Sequence, residues 1–184
     1  MKIGILALQG SFNEHIELLK KLNIETIQIK LPEQLNEIDA LIIPGGESTT
    51  ILQLLEKYKF DLQEFKNSGK PILGTCAGGI ILAELGLIDI EIERNAYGPQ
   101  LYSFIDKIEI NFEKGKDNFK GVFIRAPKII NYGENVEVLG KHNNLKTNTS
   151  DPVLVKQDNI MVATFHPELT NDTRTHELFI RLVK

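Results

Sequence analysis

Apolar and polar positions along the chain change period several times, and each change marks a new element. Residues 2–8 are apolar on both faces, the pattern of a central strand in a parallel sheet. Ser11-Phe12-Asn13-Glu14 has capping-box spacing and predicts a helix that buries Ile16, Leu19 and Leu22. Residues 24–29 alternate as a strand, and residues 40–43 form a short buried one. Pro44-Gly45-Gly46 breaks the chain, and Ser48 or Thr49 then caps a helix carrying Ile51, Leu54 and Leu55. A further turn or helix ends near Gly69, followed by a strand over 71–74 and a helix over 77–85. Repeated strand–helix units with short connections imply a parallel sheet covered by helices on both faces.

The second half changes character. Residues 90–95, 103–112, 121–125, 135–139, 153–157 and 160–165 read as short strands separated by Gly, Asn and Pro turns. They predict an antiparallel extension of the sheet. A helix over 172–183, apolar at Leu178, Phe179 and Leu182, closes the chain.

Composition narrows the class. A chain of 184 residues, 42% apolar and 25% charged, suits one globular domain spanning 1–184. A net charge of −4 with scattered basic residues argues against nucleic acid or an anionic membrane as the main partner. No apolar run approaches the ~18 residues that cross a bilayer, so a cytoplasmic protein is expected. One cysteine leaves neither an internal disulfide nor a cysteine-rich metal site.

That cysteine sits in Gly74-Thr75-Cys76-Ala77-Gly78-Gly79, the spacing of a nucleophile elbow. A tight strand-to-helix turn lifts the sulfur to a helix N-terminus, where the dipole favours a thiolate and the Ala77 N–H faces a developing oxyanion. The bland alternative is a small buried apolar residue. Thr164-Phe165-His166-Pro167-Glu168 supplies a base and an acid two residues apart, on one face if the segment is extended. A solvated surface pair is the alternative. His15 is expected to face solvent or a partner, His142 lies in a polar turn and His176 in the last helix, none with an acid at useful spacing. No ligand spacing for a metal occurs. Pro44 to Thr50 offers backbone N–H groups at a helix start but lacks the lysine of a phosphate loop. Arg94 and Arg125 interrupt apolar strand patterns, and each is either a carboxylate grip or a strand-edge salt bridge.

Together these stretches resemble the class I glutamine amidotransferases, and within them the glutaminases that serve pyridoxal 5′-phosphate synthesis. Leu8-Gln9-Gly10, Gly45-Gly46-Glu47-Ser48-Thr49-Thr50, Phe123-Ile124-Arg125-Ala126-Pro127 and Phe165 to Thr170 carry the likeness over nearly the whole chain. The resemblance implies a three-layer α/β fold, flavodoxin-like, with a mostly parallel central sheet and an antiparallel extension. It implies a catalytic triad of Cys76, His166 and Glu168, and L-glutamine contacts from Gly46, Glu47, Ser48, Arg94, Ile124 and Arg125. Ala77 and Gly46 would line the oxyanion hole. No cofactor or metal is implied. The implied acceptor of ammonia is a (β/α)8-barrel synthase subunit. Pro99 and Gly79 depart from the family pattern, and both departures are expected to touch the surface near the site. Two other readings remain: a glutaminase for a guanylate or anthranilate synthetase, or a non-catalytic flavodoxin-like module.

Overall fold

A computed structural model describes residues 1–96, 103–112, 115–144 and 148–183, which leaves Pro99 outside the described residues. The first half runs β1 (Lys2–Leu6), α1 (Phe12–Lys21), β2 (Glu25–Ile29), β3 (Ala40–Ile43), α2 (Ser48–Lys57), α3 (Leu62–Asn67), β4 (Ile72–Thr75) and α4 (Ala77–Glu84). The second half runs β5 (Ile90–Glu93), β6 (Ser103–Phe112), β7 (Gly115–Ile124), β8 (Lys128–Tyr132), β9 (Glu137–Asn144), β10 (Thr149–Gln157), β11 (Ile160–Ala163) and α5 (Arg174–Ile180).

Nine strands form one sheet in the order β2-β1-β3-β4-β11-β10-β9-β6-β7. The five from β2 to β11 pair in parallel, and from β11 outward the pairing is antiparallel. Strands β3, β4 and β11 are buried at every position, which is why they read as unbroken apolar runs. Their side chains alternate between two cores. Leu41, Ile43, Ile72 and Val162 pack beneath α2, α3 and α4 with Ile51, Phe65 and Ile81. Ala40, Ile42, Leu73 and Met161 pack on the other face with Leu19 and Phe179 of α1 and α5. The three layers match the expected α/β fold.

Strand β8 has no counterpart among the sequence expectations. Only Ile129 on it is buried, so its residues show no alternation. It pairs with β5 as a separate two-stranded ribbon, from Ile90↔Tyr132 to Glu93↔Lys128. Both expected caps are also corrected. Ser11 makes no side-chain cap on α1, its hydroxyl being drawn elsewhere, and α2 is capped by Glu47 rather than by Ser48 or Thr49. Gly79 is buried, not at the surface, and a Cβ there would lie 2.6 Å from Val162 Cγ1.

His15 is not a surface residue either. It and His176 are fully buried between α1 and α5, with His15 Nδ1 2.9 Å from His176 Nε2. His142, expected in a turn, lies on β9 with Nε2 3.0 Å from Asp106 Oδ2. Burial lowers the pKa of His15 below 6.5, with Glu168 opposing that shift. Burial, assisted by His15, pushes His176 down to about 3.

Two outcomes follow from this packing. A Cβ on Gly78 would lie 2.0 Å from Ile43 O, so Gly78→Ala has to push α4 away from β3. Urea unfolding should show it less stable by about 3 kcal/mol, the upper range for an overpacked site. The buried histidines predict acid sensitivity. Both stay neutral when folded, whereas the unfolded chain takes up protons near pH 6.5. Below that pH the unfolded state binds more protons, so stability falls by up to ~1.4 kcal/mol per pH unit for each ring. His176→Gln should flatten the slope of urea midpoints between about pH 6.5 and 5. An unchanged slope would contradict the assignment.

Candidate active site

Three neighbouring parallel strands, β3, β4 and β11, end beside one another, and each delivers one part of the site. At the end of β4, Cys76 adopts φ 47° and ψ −107° immediately before α4. Positive φ at a non-glycine residue costs roughly 1–3 kcal/mol and persists only where the surroundings enforce it. Here the Cys76 N–H donates to Ala163 O at 2.8 Å, and its carbonyl accepts from Gly79 N at 3.0 Å. Close approach permits the turn, because a Cβ on Gly74 would meet the Gly78 carbonyl at 2.7 Å. The thiol points towards Ile124 O, 3.9 Å away, at the edge of the cleft.

At the end of β11 the chain does not stay extended. Pro167–Leu169 form a 3-10 turn, so the premise that His166 and Glu168 share the face of a strand is corrected. Proline has a φ suited to a first helical turn, and the His166 N–H is fixed by Val122 O at 2.8 Å. The turn curls Glu168 under the imidazole, with Nδ1 2.7 Å from Oε1. At the end of β3, Gly45 lies against both partners. A Cβ there would fall 2.4 Å from His166 Cε1 and 3.3 Å from Cys76 Cβ. Gly45 is anchored by Ser11 N on its carbonyl at 3.0 Å and by Thr75 Oγ1 on its N–H at 3.1 Å.

The electrostatics follow from this cluster. Burial disfavours charge on His166, but the Cys76 sulfur and the Glu168 carboxylate outweigh it and raise its pKa to about 10. Burial likewise works against an ionised Glu168, yet the imidazoles of His15 and His166 and the Ser11 hydroxyl hold it at about 2. A cationic imidazole therefore stands between a sulfur and a carboxylate at neutral pH. In this charged form the ring can face a thiolate and deliver its proton to a leaving group.

A cleft of about 460 Å3 opens above the sulfur, and Gly46, Glu47, Ser48, Cys76, Ala77, Arg94, Ile124, Arg125 and His166 all line it. Glu168 lies behind His166 and is 6% exposed. The Glu47 carboxylate caps α2, accepting from Thr50 N at 2.7 Å and Thr49 N at 3.2 Å. Its own N–H donates to Gln9 Oε1 at 2.7 Å. Arg94 is held at the rim by Glu84 and by Thr49 Oγ1, so the salt-bridge reading of this residue is realised within the cleft wall. Arg125 is exposed at φ 44°, a second strained position in the same wall. Ala77 opens α4, where the first N–H groups have no partner inside the helix.

Sequence reasoning missed Ser11, His15 and Thr75. Ser11 Oγ donates to Glu168 Oε1 at 2.7 Å, and His15 Nε2 lies 3.2 Å from Thr75 Oγ1. The available signal was the four-residue spacing of Ser11 and His15, which places two polar groups on one face of a helix.

Comparison with known proteins agrees with this geometry. The model of the SNO glutamine amidotransferase family matches residues 5–184. The pyridoxal 5′-phosphate synthase subunit PdxT of Thermotoga petrophila is 50% identical, with 100% of each chain covered. The subunit of the same name from Francisella tularensis subsp. holarctica is 46% identical, with 98% of each covered. A crystal structure of a glutamine amidotransferase superposes with a TM-score of 0.89 at 42% identity, covering 98% of both chains. A putative GMP synthase subunit from Thermoplasma acidophilum has a TM-score of 0.73 at 18% identity, covering 100% of this chain and 92% of its own, a likeness of fold alone. The chain belongs to the SNO glutamine amidotransferase family.

Proposed function

We propose that the chain, acting as one glutaminase domain over 1–184, hydrolyses L-glutamine to L-glutamate and ammonia. The ammonia feeds a (β/α)8-barrel synthase subunit that makes pyridoxal 5′-phosphate. The observation that carries this reading is the convergence of Cys76, His166 and Glu168 on one cleft, with His166 Nδ1 2.7 Å from Glu168 and Cys76 at the start of α4.

The Cys76 thiolate, its proton lodged on His166, attacks the side-chain amide carbon of glutamine. The oxyanion forms beside the N–H groups of Ala77 and Gly46, each such donor being worth ~3–4 kcal/mol in acyl transfer. His166 returns the proton to the departing nitrogen, ammonia leaves, and a thioester joins the glutamyl group to Cys76. Water activated by His166 then attacks the thioester, the thiol is restored and glutamate departs. Glu168 keeps the imidazole oriented and supports its positive charge. Arg125, and Arg94 on exchanging its Glu84 partner for substrate, grip the α-carboxylate, while Gly46, Ser48 and Ile124 offer main-chain contacts. Glu47 contributes through its backbone, because its carboxylate is committed to the helix cap.

Ammonia released into water at neutral pH becomes ammonium, which is no nucleophile, so a docked acceptor is required. Full-length identity of 46–50% to subunits named for pyridoxal 5′-phosphate synthase favours that acceptor over a guanylate or anthranilate synthetase. A non-catalytic module would not be alkylated stoichiometrically at Cys76 by a glutamine-mimicking chloroketone.

With the synthase subunit present, Cys76→Ala should abolish glutamine turnover and leave the far-ultraviolet circular dichroism unchanged. Residual turnover in that variant would remove Cys76 from the mechanism. His166→Asn should lose nearly as much, Glu168→Gln less, and the double variant no more than His166→Asn alone, because the residues act as a unit. Kinetic constants that multiply would contradict this.

The free chain should be a poor glutaminase that accelerates on docking. Gly45 O is held by Ser11, and a Cβ on Gly46 would meet Gln9 Oε1 at 2.3 Å, so reorienting this peptide needs the glycine. Gly46→Ala should lower the stimulated rate more than it weakens docking, read from turnover and binding measured separately. Equal turnover with and without the partner would defeat the idea.

A further inference from the structure

Behind the catalytic groups runs a chain of buried polar side chains that the hydrolysis itself does not use. Glu168 Oε1 is held twice, by His166 Nδ1 and by Ser11 Oγ, each at 2.7 Å. Oε2 is buried, and among the described residues it has no hydrogen bond of ordinary geometry. The group that faces it is Nε2 of His15, 3.4 Å away, and both side chains are wholly shielded from solvent. Catalytic contacts are often long before substrate arrives, so this spacing fits a contact that tightens on binding.

His15 stands at a junction. The same Nε2 lies 3.2 Å from Thr75 Oγ1, the hydroxyl that accepts the Gly45 N–H at 3.1 Å. Thr75 directly precedes Cys76. Nδ1 of His15 lies 2.9 Å from Nε2 of His176. One ring therefore adjoins the triad acid, the residue before the nucleophile and the tether of the oxyanion loop.

The tautomer can be deduced from the partners. A carboxylate only accepts, so a hydrogen on Nε2 of His15 faces Glu168 favourably, whereas a bare lone pair would repel it. Nδ1 then accepts, and His176 donates from its Nε2. His176 Nδ1, which meets no partner among the described residues, is left as an empty acceptor rather than a stranded donor. The opposite tautomers would bury an unpaired N–H and turn a lone pair towards the carboxylate.

We propose, resting on the glutaminase reading above, that His15 backed by His176 is a positioning residue of the triad. Its Nε2–H holds Glu168 Oε2 and Thr75, and so keeps the acid, the cysteine turn and Gly45 in one geometry. The role is distinct from that of Ser11, which grips the other carboxylate oxygen from the same face of α1.

Two amide variants separate this role from simple packing. The glutamine side chain can place an N–H where Nε2 stands, while the asparagine side chain reaches only as far as Nδ1. With the synthase subunit present, His15→Asn should lower kcat for glutamine by about 10- to 100-fold, the range for a lost hydrogen bond to a charged group. His15→Gln should stay within about fivefold of wild type, and KM should change less than about twofold in both. Equal kcat in the two variants, or a loss confined to KM, would overturn the proposal. Long-range nitrogen–proton correlation spectra of the wild-type chain provide a second readout that needs no variant. They should report His15 as the Nε2–H tautomer, and the Nδ1–H tautomer would overturn the proposal even if neither variant folds. Wild type that hydrolyses no glutamine in the complex would sink the functional reading itself, an outcome distinct from active wild type with matching variants.

Discussion

The buried carboxylate of Glu168 must be compensated within the protein, because removing an isolated carboxylate from water costs several kcal/mol. Two elements converge to do so. The 3-10 turn at Pro167–Leu169 brings His166, and α1 contributes Ser11 and His15 from successive turns. Glu168 in turn, together with the Cys76 sulfur, raises His166 to about 10, so acid and base stabilise each other's charge. Because α1 is bound to the carboxylate, its N-terminus also fixes Gly45 through the Ser11 N–H. The first helix, the Gly45 loop and the imidazole are thus all tied to one charge.

The sheet supplies the frame. β4 lies between β3 and β11, with Ile43↔Gly74 and Ala163↔Thr75 in register. The loops leaving these strands at their carboxyl ends therefore meet above β4, as ligand sites commonly do in open α/β sheets. Burial on both faces makes the three strands rigid, and a rigid base is what allows Cys76 to be held in an unfavourable backbone conformation.

The parallel sheet was legible as far as β4, because strands such as β3 are apolar without interruption and the connections are short; β11, expected in the antiparallel extension, instead pairs with β4 in parallel. Cys76, His166 and Glu168 were legible as a set, since a strand-end cysteine and a His-Pro-Glu stretch supply complementary chemistry. What the sequence concealed were side chains whose partners are remote in the chain. Ser11 looked like a helix cap because the local pattern cannot show a carboxylate 157 residues away. His15 looked solvent-facing because α1 carries Ile16 and Leu19 on its obvious apolar face. The polar seam to His176 exists only once α5 has folded back. β8 was invisible because a ribbon lying on a helix layer buries a single residue.

The β5–β8 ribbon connects two parts of the cleft wall. Arg94 follows β5 directly, and Arg125 lies three residues before β8, both at the Glu93↔Lys128 end of the pairing. The ribbon therefore works as a calliper whose jaws are the two guanidinium groups. A bulge between Glu91 and Ile92 sets its register. The residue left over is Ile130 on β8, and removing it would shift one arm against the other by roughly 3.3 Å, one residue along the strand. The spacing of the two arginines across the cleft wall is thus set by a ribbon that lies outside the main sheet.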